Sequence, residues 1–271
     1  MQAPDGAPVK AYVDTGGAIS IVAPAVADRL KLAPAGRIDA DDMQATLAEF
    51  PAFLAAAGVP APLDDAMFHG HLVLAPAPVA DSDLFLGGPW LAGRTWEISY
   101  LRHELYLAPE WRPSARDHAL PMAFRTDEAG LRRPDLPRIV VTVDRQPLDL
   151  LLDTGAMAAL APDATPAFHV PPGTVVGASF ITQRVFDQWH AAHPDWRVVE
   201  RGEAIQGHLV PMIEVPRVSV GGFSVGPALV PSRAGLSARD GVDQAGEPLT
   251  SRRRRRAAPS GSAGNWWRAW T

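Results

Sequence analysis

The chain has 271 residues, of which 47% are hydrophobic and 20% charged, and its formal net charge is −5. This composition is typical of a folded protein large enough to bury a core, and the acidic balance predicts no nucleic-acid partner. No apolar run reaches the roughly 18 residues that predict a membrane span, and a chain without cysteine has neither a disulfide framework nor a thiolate metal site.

The first part of the chain predicts short strands and helices in alternation. An apolar strand ends in the Asp-Thr-Gly turn of "YVDTGG" (12–17), and a short helix follows at 23–32. The Ala and Leu content of 39–58 predicts a helical insertion interrupted near Pro51. Three further segments are a strand within 69–80, an apolar pair with two glycines and a short helix at 83–93, and a β-hairpin at 95–109.

The segment "PEWRPSARDHALP" (109–121) is rich in proline and charge, which predicts a boundary between two domains. Beyond it, the sequence again predicts strands and a helix. The segments are a β-hairpin strand "RIVVTV" at 138–143, a helix at 179–196 that stops at Pro194, and more strands at 212–230. The predicted division is an N-terminal domain at 1–110, a linker at 111–120, a C-terminal domain at 121–243 and an atypical tail at 244–271.

An internal repeat links the two predicted domains. "DGAPVKAYVDTG" (5–16) aligns without a gap on "DRQPLDLLLDTG" (144–155), at an offset of 139 residues. Each copy contains a turn with Asp and Pro, a short apolar strand, and a tight turn with glycine. An isolated Asp-Thr-Gly commonly only closes a hairpin, but two in repeat register predict two similar lobes that each bring one Asp to the end of a strand.

The two copies differ at their N-terminal ends. The second copy is preceded by the strand at 138–143, whereas the counterpart of that strand would begin just before Met1. We therefore expect the first lobe to lack an outer strand, through a misplaced start or trimming. A targeting or export signal upstream would be lost with it, so the compartment is left open.

These residues resemble a known family. Asp-Thr-Gly after an apolar strand, a downstream apolar-apolar-Gly segment, and duplication of the unit are similar to aspartic peptidases of the pepsin and retropepsin type. The resemblance is strongest at 5–32, 83–109 and 138–162. It implies a mostly β, bilobal acid-protease fold with β-barrel lobes and short helices, and an endopeptidase that hydrolyses a polypeptide substrate without a cofactor.

The resemblance also implies a role for each motif residue. Asp14 and Asp153 would form the catalytic dyad, in which two neighbouring carboxyl groups share one proton. The supporting residues would be the threonines and glycines of the turns and the apolar segment packed beneath the first one: Thr15, Gly16, Thr154, Gly155, Phe85, Leu86 and Gly87. Gly17 and Ala156, which follow the two turns, favour the retropepsin-like side of the family.

Two features depart from the family pattern. The family usually has a flap hairpin that contains Tyr, and the segment 69–78 is our candidate for a flap without Tyr. The tail "QAGEPLTSRRRRRAAPSGSAGNWWRAWT" (244–271) contains no apolar-apolar-Gly segment and no hairpin pattern. Its composition is that of a GC-rich gene read in a wrong frame, which predicts a frameshift or an alternative terminus near Asp243 and a disordered tail.

Three other interpretations stay open. The chain could be a non-catalytic or truncated relative that binds polypeptides, and its oligomeric state is unknown. His69 and His71, with Asp81 and Asp83, could bind a metal if they share a strand face, and His190 and His193 have helical spacing. The arginines at 252–256 could bind phosphate, although no basic face accompanies them and a solvated tail is the simpler interpretation.

Overall fold

The computed structural model describes residues 2–40, 43–65, 67–76, 78–79, 81–115, 117–124, 136–205 and 207–233. Among these residues the protein is mostly β, with short helices. We refer to residues 2–110 as the N-terminal half and to residues 136–233 as the C-terminal half. The predicted tail at 244–271 lies outside the described residues.

The N-terminal half contains strands β1 to β8 and helices α1 to α3. They are β1 (Ala11–Val13), β2 (Ile21–Val22), α1 (Pro24–Leu30), β3 (Pro34–Ala40), β4 (Met43–Ala48), α2 (Ala52–Ala56), β5 (Leu72–Leu74), β6 (Leu84–Leu86), α3 (Gly88–Leu91), β7 (Trp96–Ser99) and β8 (Glu104–Leu107). Strands β1 to β6 form one sheet in the order β1-β6-β2-β5-β4-β3, and β7 pairs with β8 as a separate hairpin. The predicted helix at 23–32 and hairpin at 95–109 are confirmed.

The C-terminal half contains strands β9 to β18 and helices α4 and α5. They are β9 (Arg138–Val143), β10 (Gln146–Leu151), β11 (Met157–Ala159), α4 (Ala164–Ala167), β12 (Val175–Gly177), β13 (Ile181–Thr182), α5 (Gln183–Ala192), β14 (Val198–Ile205), β15 (His208–Val215), β16 (Val218–Val220), β17 (Phe223–Val225) and β18 (Ala228–Arg233). Two four-stranded sheets have the orders β10-β9-β16-β17 and β13-β18-β15-β14, and β11 pairs with β12. The predicted hairpin strand at 138–143 is confirmed. The helix predicted at 179–196 is found over the shorter range of α5, and two of its predicted residues form β13 instead.

Apolar clusters hold each half together. In the N-terminal half, Leu54, Leu72 and Leu84 are fully buried in one core. In the C-terminal half, α5 begins where the Thr182 hydroxyl accepts a hydrogen bond from the Val185 amide. Its buried residues pack against the sheet residues Ile213 and Val215. Within the described residues, every sheet and every buried cluster draws its members from one half.

Two expectations about the N-terminal half are wrong. Residues 39–40 and 43–48 do not form part of a helical insertion, because β4 pairs with β3 on one side and with β5 on the other. Among the described residues of 39–58, only α2 is helical. The expected flap at 69–78 is not found, since β5, at the centre of this segment, lies between β2 and β4 inside the sheet, with Leu72 and Val73 buried.

The expected closed barrels are not found among the described residues. A barrel requires the first and last strands of a sheet to pair. In the six-stranded sheet, β1 and β3 are the two edges and remain unpaired with each other, and none of the other sheets closes on itself. The first lobe is expected to lack an outer strand. In its place the N-terminal half has a single β-bridge between Gln2 and Pro8, whereas in the C-terminal half β9 and β10 pair over six residues.

Candidate active site

The two Asp-Thr-Gly turns follow corresponding strands. β1 ends at Val13, directly before Asp14, and β10 ends at Leu151, two residues before Asp153. β1 is held by its parallel partner β6, and β10 by its antiparallel partner β9. Each turn is therefore carried by a strand of its own half, and the two turns meet between the halves.

The carboxylates of Asp14 and Asp153 lie side by side. The Gly16 amide donates a hydrogen bond to Asp14 Oδ1 at 2.8 Å. The Gly155 amide donates to Asp153 Oδ1 at 2.9 Å and also to Asp14 Oδ1 at 3.2 Å. Because one N–H group contacts both carboxylates, the two acidic groups occupy one small volume at the junction of the halves.

The turn glycines leave the space that the opposite carboxylate fills. A Cβ atom added to Gly16 would lie 2.4 Å from Asp153 Cγ, and one added to Gly155 would lie 2.5 Å from Asp14 Cγ. Both distances are shorter than real Cβ contacts, so any larger residue would push the carboxylates apart. The two turns are reciprocal in this respect, since each supplies both an Asp and the gap for the other Asp.

The two threonines brace the turns against each other. The Thr15 amide donates to the Thr154 hydroxyl oxygen at 3.1 Å, and the Thr154 amide donates to the Thr15 hydroxyl oxygen at 3.0 Å. The Thr15 hydroxyl in turn donates to the Leu152 carbonyl. Thr15 is 9% exposed, and hydrogen bonds that exclude water hold their geometry more firmly than exposed ones.

The apolar-apolar-Gly segment lies beneath the first turn. Phe85 and Leu86 are buried on β6, and the Leu86 carbonyl accepts a hydrogen bond from the Asp14 amide at 3.0 Å. A Cβ atom on Gly87 would lie 2.5 Å from the Gly17 carbonyl oxygen, and one on Gly17 would lie 2.4 Å from the Phe85 ring. Glycine at both positions therefore allows β6 to pass directly under the turn.

The surroundings of Asp153 favour its protonated form. Burial, the negative charge of Asp14 and a hydrogen bond with the Asp14 carboxyl group raise the pKa of Asp153 from 3.8 to about 7. Hydrogen bonds from the Gly155 and Ala156 amides act in the opposite direction and lower it. The two carboxyl groups can therefore share one proton near neutral pH.

Tyr12 is a site residue that the sequence analysis did not single out. Its hydroxyl donates to the Gly155 carbonyl at 3.3 Å, and its ring stacks on Phe85 with centroids 6.0 Å apart. Burial and the charges of Asp14 and Asp153 raise the pKa of this phenol. Tyr12 precedes Asp14 by two residues on a strand, a spacing that places both side chains on one face and could have identified it.

The histidine candidates do not assemble into a shared site. His69 lies in a turn, with a φ of 50°, and not on a strand, so its spacing from His71 does not place them on one strand face. Its imidazole is 3.7 Å from the exposed Asp64 carboxylate. Among the described residues, no group of three or more His, Asp and Glu side chains is placed to hold a metal ion.

The second histidine pair has helical spacing, since His190 lies on α5 and His193 directly follows this helix. His193 stacks on Trp196 at 4.0 Å and lies 3.2 Å from the Asp144 carboxylate. These contacts fasten the end of α5 to the turn between β9 and β10. The arginines at 252–256 lie outside the described residues.

Comparison with protein-family models, curated proteins and solved structures found no match to this chain. Within the described residues, no helix has the length and apolar character needed to cross a membrane. What the protein does must therefore be inferred from the geometry of the site.

Proposed function

We propose that the protein is an aspartic endopeptidase with a bilobal acid-protease fold. The observation that carries this proposal is the Gly155 amide that contacts both carboxylates, together with the pKa of Asp153 at about 7. Two adjacent carboxyl groups that share one proton supply a general base and a general acid at one point.

The proposed chemistry assigns different tasks to the two carboxyl groups. Asp14, which accepts hydrogen bonds from two amides, acts as the base in this proposal and takes a proton from a water held between the aspartates. The resulting hydroxide attacks the carbonyl carbon of the peptide bond while Asp153 gives its proton to the carbonyl oxygen, which forms a gem-diol. The proton on Asp14 then passes to the amide nitrogen. The carbon–nitrogen bond breaks as one gem-diol hydroxyl returns its proton to Asp153, so the products are a carboxylic acid and an amine and the dyad again holds one proton.

The proposed substrate is an extended polypeptide. Backbone pairing in the junction between the halves would hold such a chain, and the two carboxyl groups lie at that junction. The cleavage rate is expected to decline as pH rises through about 7, because Asp153 then loses the proton that the mechanism uses.

The test is cleavage of an unfolded protein and a mixed peptide library from about pH 3 to 8, a range chosen to span carboxyl titration. We compare the wild type with Asp14→Asn and Asp153→Asn. The expected result is a loss of about 10³-fold or more in each variant. Asp28→Asn is the matched control, because Asp28 is exposed on α1, and it should cleave as the wild type does.

Two results would overturn the proposal. Cleavage that persists in both dyad variants would place the chemistry elsewhere. A folded wild type that cleaves nothing across this pH range would favour the alternative, a non-catalytic protein of the same fold that binds polypeptides.

A further inference from the structure

Each strand that precedes an Asp-Thr-Gly turn can pair with a neighbouring strand on either of its two edges. In the N-terminal half, the strand beside β1 is β6. β6 pairs with it in parallel, with Tyr12 opposite Phe85 and Val13 opposite Leu86. The ladder continues into the turn, where the Asp14 amide donates to the Leu86 carbonyl at 3.0 Å.

The corresponding edge of β10 has no strand beside it within the described residues, where β10 pairs with β9 alone. The Leu152 amide donates to the Pro137 carbonyl at 2.8 Å, toward β9. Because successive residues of a strand direct their backbone groups to opposite sides, Leu151 and Asp153 direct theirs to the open edge. In the described part of the chain, no acceptor is found for the Asp153 amide, the counterpart of the Asp14 amide.

The second Asp-Thr-Gly turn is also less buried than the first. Thr15 and Gly16 are buried, whereas their counterparts Thr154 and Gly155 are partly exposed. The second turn is therefore less covered than the first.

We propose that the open edge of β10, from Leu151 to Asp153, binds an extended apolar segment of another polypeptide that ends in glycine and runs parallel to β10. Residues 125–135 and 234–271 contain no apolar-apolar-Gly sequence, and the occupant that we propose is a segment of a separate polypeptide. The backbone of that segment supplies the acceptor for the Asp153 amide. This proposal concerns binding alone and does not depend on catalytic activity.

The structure also specifies the side chains of the segment. Ala156 corresponds to Gly17, and a Cβ atom at Gly17 would lie 2.4 and 2.6 Å from Cε1 and Cζ of Phe85. The residue at the Phe85 position must therefore lack those ring atoms, and leucine does. We expect glycine at the Gly87 position, because in the first turn a Cβ at Gly87 would lie 2.2 Å from the Ile19 carbonyl oxygen and 2.5 Å from the Gly17 carbonyl oxygen.

The test uses the full chain and three synthetic peptides based on residues 83–90, "DLFLGGPW". The first peptide carries Phe85→Leu and is the expected ligand. The second carries Phe85→Leu and Gly87→Val, and the third keeps the natural Phe85. Binding is measured by titration calorimetry, and amide hydrogen exchange is followed residue by residue by NMR.

The first peptide is expected to bind and to slow exchange of the Leu151 and Asp153 amides by about tenfold or more, while the Tyr12 and Asp14 amides do not change. The Gly87→Val peptide should bind about tenfold or more weakly, and the natural Phe85 peptide should also bind more weakly than the first. All of these measurements use the wild-type protein, so no result depends on a protein variant that fails to fold.

Three results would overturn the proposal. In the first, the Leu151 and Asp153 amides are already protected without peptide, because the chain's own residues then occupy the edge. In the second, saturating concentrations of the first peptide give no protection at these amides. In the third, the Gly87→Val peptide binds as tightly as the first, because binding then does not follow the geometry of the first turn.

Discussion

Gly16 and Gly155 control how closely the two carboxylates approach. Each glycine faces the carboxylate of the opposite half, and each amide also holds the carboxylate of its own turn. A methyl group would disturb both functions, because it would displace the opposite Asp and, through the turn, the amide donor. Errors of about 1 Å in such a constellation are enough to reduce catalytic rates about 100-fold.

We therefore expect Gly16→Ala and Gly155→Ala each to reduce peptide cleavage about 100-fold or more. The physical reason is displacement of the opposite carboxylate, since the added Cβ would lie 2.4 or 2.5 Å from its Cγ. Cleavage assays at the optimum pH, with circular dichroism to verify folding, measure the effect.

Gly177→Ala is the matched control for these two variants. Gly177 lies on β12, and an added Cβ there meets no atom within 4 Å. It should leave cleavage unchanged. Equal activity in Gly16→Ala and Gly177→Ala would show that the approach of the two turns does not matter for activity.

The sequence identified the two aspartates because the repeat places them in register, and register can be read without any structure. The sequence analysis did not identify Tyr12 as a site residue. Its hydroxyl contacts the Gly155 carbonyl and its ring stacks on Phe85, and the contact with Gly155 exists only because the two halves meet. A sequence repeat predicts two equivalent turns. It therefore could not show that Thr154 is more exposed than Thr15.

At the scale of elements, a buried ion pair connects β14 and β18, which lie on either side of β15. Arg233 donates two hydrogen bonds to the Glu203 carboxylate, one of them at 2.7 Å. Glu203 is 2% exposed, and the Arg233 guanidinium also lies over the Phe180 ring at 4.0 Å. A carboxylate this deeply buried depends on its partner, because unpaired buried charge is costly.

Arg233→Met is expected to lower the free energy of unfolding by about 3–5 kcal/mol, because it leaves Glu203 buried without a counter-charge. Urea denaturation measures the loss. The control is Arg201→Met, since Arg201 and Asp163 form an exposed pair with atoms 3.5 Å apart, and it should cost less than about 1 kcal/mol. Similar losses in the two variants would mean that burial of Glu203 does not set the strength of its pair.

The elements also show where local propensity misleads. The Ala and Leu content of 39–58 favours a helix, and the sequence predicts one there. The chain instead forms the hairpin of β3 and β4, because β4 adds to the sheet beside β5 with Leu47 opposite Val73. Leu47 and Ala48 are buried there, so tertiary burial outweighs intrinsic preference.

At the scale of the whole molecule, the site exists only where the two halves meet. The described sheets and buried clusters stay within one half, whereas the hydrogen bonds between Thr15 and Thr154 cross the junction. Bringing two carboxyl groups together at this junction opposes the ionisation of Asp153. The protonation state of the dyad and the stability of the assembled molecule are therefore linked.

This linkage predicts how stability depends on pH. The pKa of Asp153 is about 7 in the folded protein, compared with the ordinary value of 3.8, so between these values the folded state binds more protons than the unfolded state. The stability that Asp153 contributes is fully present below about pH 3.8 and is lost as pH rises through about 7. Its slope cannot exceed that of one proton, about 1.4 kcal/mol per pH unit.

Urea denaturation of the wild type and Asp153→Asn at intervals from about pH 4 to 8 isolates this contribution, because other carboxyl groups titrate in both proteins. The wild type should lose stability relative to Asp153→Asn as pH rises, since Asn carries no charge at any of these pH values. Asp28→Asn should follow the wild type at every pH. If the profiles of the wild type and Asp153→Asn run parallel, Asp153 titrates as an ordinary exposed carboxyl group, and the two halves do not hold the aspartates together in solution.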